Sequence, residues 1–147
     1  MNDIVKAENT EIIANSADFN IPTGFICTLD LTTIEGKLAV SHAISGAVSM
    51  RDKTNEVLRV TDFITKPGVR ARTGEVCVDS RIICEDGTVY FSQSDGIAES
   101  IRFIVGIFTD PKTGNFTPLL PLGIGLKVCE QTLANGNTRK YLDPVKL

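Results

Sequence analysis

VLRVTDFITK (residues 57–66), GEVCVDSRIIC (74–84) and TVYF (88–91) are three β-type runs in close succession. Each is rich in Val, Ile, Phe or Tyr, and short turns separate them. Leu58, Val60 and Ile64 are expected on one face of the first run, with Arg59, Thr61, Phe63 and Thr65 on the other. Pro67-Gly68 is expected to end that strand. Glu85-Asp86-Gly87 reads as a tight hairpin of the Asp-Gly type. Ser92–Asp95 then offers several helix N-caps, and Ile97, Ile101, Ile104, Val105 and Phe108 form the apolar stripe of a helix. Two further strands, Ile124–Leu133 and Thr138–Asp143, flank the turn Ala134-Asn135-Gly136-Asn137.

The order from residue 57 is therefore strand, strand, strand, helix, strand, strand. A five-stranded barrel with one helix between its third and fourth strands is the OB-fold pattern. The expected fold class is thus mainly β with two helices, an OB-fold barrel carrying additions at its N-terminal side. Gly24–Thr33 alternates as a further strand, with Phe25, Cys27, Leu29 and Leu31 on one face. Thr32 and Glu35 fit a capping box that opens a helix over 34–50, in which Gly36 and Gly46 cost about 1 kcal/mol each. Residues 1–23 are expected to be a polar extended arm or a short helix, flexible or used for assembly, and 24–147 a single domain that includes the strand–helix extension 24–55. The stretch 109–123 holds three of the six prolines and reads as a long loop, functional or mobile.

Composition removes several classes of function. The 147 residues carry a net charge of −3, unlike the basic balance of most duplex-DNA binders. Four acids and one lysine within 1–23 account for all of it, leaving 14 basic and 14 acidic residues beyond. A neutral domain still binds nucleic acid when its cations cluster in one groove. Cys27, Cys77, Cys84 and Cys129 form no C-x-x-C pair and His42 is the only histidine, so no zinc or other cofactor is expected. These cysteines, without an export signal, are expected as thiols in the cytoplasm. No apolar run suggests a membrane span. One histidine, read as a packed helix residue, makes no catalytic set, and the chain is not expected to be an enzyme.

The cations point elsewhere. Lys66, Arg70 and Arg72 lie in the first inter-strand loop with no acid between them, as phosphate contacts require, although a solvated hairpin looks the same. Tyr90 is expected to face outward, between the inward Val89 and Phe91, where a ring would stack on a base or simply cover the rim. Arg139 and Tyr141 share a face of the last strand if Leu142 points inward, with Lys127 opposite. Edge protection by charge is the plainer account of that pair. Arg81, Arg59 and Phe63 are further candidates whose side of the sheet stays open. In an OB barrel strands 2–3 and the loops joining strands 1–2 and 4–5 meet oligonucleotides, and two of those places carry positive charge here.

The segments EGKLAVSHAISGAVSM (35–50), NEVLRVTDFI (55–64) and DGTVYFSQSDGIAESI (86–101), with the closing basic hairpin, carry a family resemblance. Over roughly Phe25–Asp143 the chain resembles the small single-stranded DNA-binding proteins of phages and conjugative plasmids of Gram-positive bacteria, the plasmid members in particular. The resemblance implies an OB-fold and binding to single-stranded DNA with little sequence preference, during phage replication or plasmid transfer. Duplex DNA and RNA stay open as weaker partners. It also implies a homo-oligomer along DNA, with the N-terminal arm reaching a neighbour. In YLDPVKL (141–147) only Asp143 is acidic, so recruitment of partners through an acidic tail, as in housekeeping single-strand binders, is not expected. The rival reading is a phage or plasmid structural or adaptor protein whose barrel makes only protein contacts.

Overall fold

The computed structural model describes residues 25–147; the expected arm over 1–23 lies outside them. The elements in chain order are β1 (Ile26–Cys27), α1 (Ile34–Ser45), β2 (Val48–Ser49), β3 (Val57–Leu58), β4 (Val60–Val69) and β5 (Val76–Cys84). Then follow β6 (Val89–Ser92), α2 (Asp95–Ile107), a 3-10 turn (Leu120–Leu122), β7 (Ile124–Thr132) and β8 (Thr138–Lys146). The class is mainly β with two helices, as expected. One sheet has the order β1-β4-β5-β6-β2 and the other β3-β7-β8.

The two sheets meet where β3 runs into β4. Thr61 is an extra residue there, since Val60 pairs with Cys84 while Asp62 pairs with Ile83. A bulge of one residue reverses the alternation beyond it. Val60 and Phe63 therefore both enter the core, with Leu58, Ile82, Cys84, Ile97, Ile101, Ile104, Leu126, Val128 and Leu142. Ile64, expected beside Val60, is buried outside this cluster. Thr28 sits at the bulge, its hydroxyl donating to Asp62 (2.8 Å) and accepting from the Phe63 amide (2.9 Å). Burial pushes the Asp62 carboxyl above its ordinary range, against the lowering effect of the Thr28 and Thr61 hydrogen bonds.

The expected closed five-stranded barrel is not formed. The outer edge of β6 is taken by β2, which runs parallel to it with Val48 opposite Tyr90. The free edge of β8 is covered by α2 instead. The Leu142 amide donates to the Ser100 hydroxyl at 3.0 Å, and a Cβ on Gly96 would collide with the Lys140 carbonyl oxygen. Covering an edge in this way removes unpaired backbone groups. With β6 and β8 each occupied elsewhere, the third and fifth strands of the pattern never meet.

Other boundaries also move for identifiable reasons. The strand expected over Gly24–Thr33 shrinks to two residues, because the Asp30 carboxylate accepts from the Thr32 amide (2.9 Å) and hydroxyl (2.6 Å) and turns the chain. Thr33, not Thr32, caps α1 by accepting from the Gly36 amide at 3.0 Å. Gly36 is no simple weak point, since a Cβ there would strike the Asp30 carbonyl. The helix stops at Ser45, with Gly46 as C-cap, and His42 is exposed and not packed. β4 runs through Pro67 to Val69. The Phe63 amide points to the β1 side, so Pro67, four residues on, turns its missing donor the same way, past the end of β1. The loop 109–123 is held down: Thr109 bridges Phe116, whose ring meets Phe63 edge-on at 6.0 Å, and Leu119 is buried.

Two outcomes follow from this packing. Gly96→Ala forces α2 off β8 and should cost about 1–3 kcal/mol in urea unfolding, with the slope unchanged. Because the Asp62 pKa lies above its ordinary 3.8, its contribution is largest at low pH and is lost as pH rises through the folded value. Asp62→Asn should therefore raise the urea midpoint at pH 7 and flatten that part of the pH dependence.

Candidate nucleic-acid interface

The turn between β4 and β5 projects from the first sheet. The Arg70 amide donates to the Glu75 carbonyl (2.9 Å) and the Gly74 amide to the Arg70 carbonyl (2.8 Å), with Gly74 at φ +75°. An open groove of 480 Å3 lies between this turn and the approach to α2, lined by Arg70, Ala71, Arg72, Thr73 and Gln93. Arg70 reaches across it: its guanidinium donates to the Gln93 carbonyl at 3.0 Å and lies 3.6 Å from the Asp95 carboxylate and 3.9 Å from that of Glu75. Arg72 is exposed. Val69 and Val76, opposite each other at the base of the turn, are also exposed. The groove presents cations and short apolar side chains to solvent.

The second basic region meets the first at α2. Arg139 forms an ion pair with Glu99, and its side chain lies against Gly96. Asp95 and Glu99 are one turn apart, so Arg70 and Arg139 occupy neighbouring positions on the first turns of one helix. The basic loop and the basic last strand, far apart in sequence, are thereby brought to one place.

The remaining candidates divide. Leu142 is buried, and Arg139, Tyr141 and Lys127 fall on the outer side of the β7–β8 ladder, with Cys129 opposite Tyr141 and Asp143 opposite Lys127. The Tyr141 phenol is raised above its ordinary value by Cys129 first, then by burial, with Asp143 adding less. Lys66 belongs to β4 and not to the loop; it lies 3.3 Å from Asp79 on the outer side of the first sheet. Arg81 is committed to structure. It pairs with Asp79 at 2.6 Å, donates to the Ala43 carbonyl at the end of α1 (3.1 Å), and its guanidinium lies 5.4 Å from the Phe91 ring centre. Arg59 pairs with Glu85, and Phe63 is fully buried.

Tyr90 requires a correction. It pairs with Ile82 and packs against the core, with Lys53 5.7 Å from its ring centre. The hairpin loop has three residues, since the Cys84 amide donates to the Thr88 carbonyl, and Gly87 takes φ +90°. Loop length sets register, and this register puts Tyr90 and Ile82 on the same inner face. Phe91 takes the outer face instead. What remains accessible of Tyr90 lines a 240 Å3 cleft whose charged walls are Glu56, Glu85, Asp86 and an Arg59 already paired with Glu85, so acids outnumber the cation there. Asp95, one of the cap candidates in the sequence, and Glu99, which the sequence reading did not single out, are the acids around which the arginines gather. Their i,i+4 spacing was the available signal.

Among the described residues no cluster of His, Cys, Asp and Glu fits a metal ion, and no helix is long and apolar enough to cross a membrane. Cys77 and Cys84 are buried thiols; burial first, and Asp86 second, push Cys84 up to about 11.

The family model for phage single-stranded DNA-binding protein matches residues 20–120, more than half of the chain. No curated protein and no solved structure matches it. The matched span holds Lys66, Arg70, Arg72, Arg81 and Tyr90; Lys127, Arg139 and Tyr141 lie beyond it.

Arg81→Ala separates structure from binding. It leaves Asp79 buried with only Lys66, and should lower stability by about 2 kcal/mol. The affinity of the folded variant for oligonucleotides, measured by anisotropy well below its unfolding midpoint, should stay within about twofold of the parent.

Proposed function

The chain belongs to the phage single-stranded DNA-binding protein family, and from that premise we infer that it coats single strands through the β4–β5 groove and the start of α2. The observation that carries this location is the convergence of Arg70 and Arg139 on one turn and a half of helix. Phosphate contacts supply most sequence-independent affinity, and guanidinium groups make them in pairs. Arg72 extends the cationic surface along the turn. Tyr141, on the outer face of β8, offers a ring for stacking, with Lys127 beside it. The element order supports an OB-type reading in which the third and fifth strands stay apart.

The protein acts in this reading without catalysis or cofactor, in the cytoplasm, on strands exposed during replication. The phage label of the family supports phage replication over plasmid transfer. Little sequence preference follows, because the candidate groups are charges and rings and not a set of base-edge donors. Assembly along DNA is supported by exposed apolar side chains on both helices, Ile34 and Leu38 on α1 and Phe103 and Ile107 on α2. Residues 1–23 are the proposed link between copies.

The test is fluorescence anisotropy with labelled single-stranded DNA, duplex DNA and RNA across a salt series. Affinity should be highest for the single strand and fall with log salt at about 0.7 per phosphate contact. Arg72→Ala should weaken binding about three- to tenfold and reduce the slope by one such contact. No binding to any single strand at low salt would overturn the reading. Removing residues 1–23 should shift the protein to smaller species on sizing chromatography while single-site affinity changes little.

A further inference from the structure

Arg70 and Arg139 are not waiting empty. Arg70 lies between Glu75 and Asp95 and donates to the Gln93 carbonyl; Arg139 is paired with Glu99. Their side chains are 34% and 36% exposed, so they are partly held in place, whereas those of Asp95 and Glu99 are 78% and 58% exposed. The acids sit one helical turn apart on α2, a spacing that puts Cβ atoms about 5–6 Å from each other on one side of the helix. Two carboxylates so placed on one helix side hold two arginines as neighbours, as two successive phosphates of one strand would. A carboxylate and a phosphate oxygen present the same acceptor chemistry to a guanidinium.

We propose that Asp95 and Glu99 occupy, in the DNA-free protein, the places that two neighbouring phosphates of one strand take when it binds. The proposal rests on the single-strand reading above and deepens it by naming the residues that set affinity and salt response. An exposed ion pair contributes little, so each carboxylate is easily displaced. While in place, the acids keep both arginines extended toward the binding position and lower the entropy lost on binding. They also impose a threshold. An isolated anion displaces one carboxylate and stays beside the other, whereas a strand displaces both at once. Selection for a polyphosphate backbone over free phosphate and mononucleotides follows. Carboxylates released on binding recruit cations and offset part of the ions released from DNA, so the parent protein has a shallower salt slope than its cation count implies.

The test compares the full chain with Glu99→Gln, Asp95→Asn and the double variant, using a labelled oligothymidylate of about 20 nucleotides across a salt series, with a mononucleotide as competitor. Glu99→Gln should tighten binding about three- to fivefold and the double variant about tenfold, with a steeper salt slope and stronger competition by the mononucleotide. The gain from Glu99→Gln should vanish in an Arg139→Ala background, which a general charge effect would not reproduce. Unfolding curves of each variant identify any that are not folded at assay temperature, and Glu99→Gln, at an exposed position away from the cap, carries the test if Asp95→Asn weakens the helix. Unchanged or weaker binding by folded Glu99→Gln overturns the proposal while leaving single-strand binding intact. Absence of binding by the parent and all variants overturns both.

Discussion

One inserted residue organises this molecule. By displacing the alternation at Thr61, the chain sends Val60 and Phe63 into the same core and continues as a single bent line that serves both sheets. Without that shift Phe63 would lie on the outer face with Arg59 and Thr65, and Phe116 would lose the ring that it meets edge-on. The bulge needs partners for its irregular backbone, and Thr28 supplies them by binding the Phe63 amide and the Asp62 carboxylate together. The short β1, which looks like an appendage, is thus tied to the point where the fold turns.

Most elements were legible because each rests on local chemistry: turns at Asp-Gly and Asn-Gly, the Ser94 cap, the apolar stripe of α2. What was not legible depends on pairing. Tyr90 and Phe91 exchange faces because a three-residue loop was taken without its register. Ile64 and Phe63 exchange faces because nothing in VLRVTDFITK announces which residue is extra. Barrel closure fails because Val48-Ser49, two residues at the end of an expected helix, take the edge of β6. Of the candidate cations, Arg70 and Arg139 come together, Lys127 and Tyr141 share a face with Arg139, and Arg81 is absorbed into the packing of α1. No local pattern distinguishes a cation that holds a helix end from one that faces a ligand.

The near-neutral balance of the domain has the same origin. Asp79, Asp95 and Glu99 each answer an arginine, so charge is paired inside the protein before any partner arrives. Net charge is then a poor guide to what the surface attracts. The useful quantity is which pairs can open, and burial decides it: the Arg81–Asp79 pair is 12% exposed on both sides, the Asp95 and Glu99 carboxylates mostly exposed.

Since β6 and β8 do not meet, the molecule has a seam. The two sheets are joined along the bent strand on one side and bridged by α2 on the other. Arg70 belongs to one leaf and Arg139 to the other. A strand held by both arginines, as proposed, would be a clasp across that seam and would fasten together two sheets that the backbone joins at one edge alone.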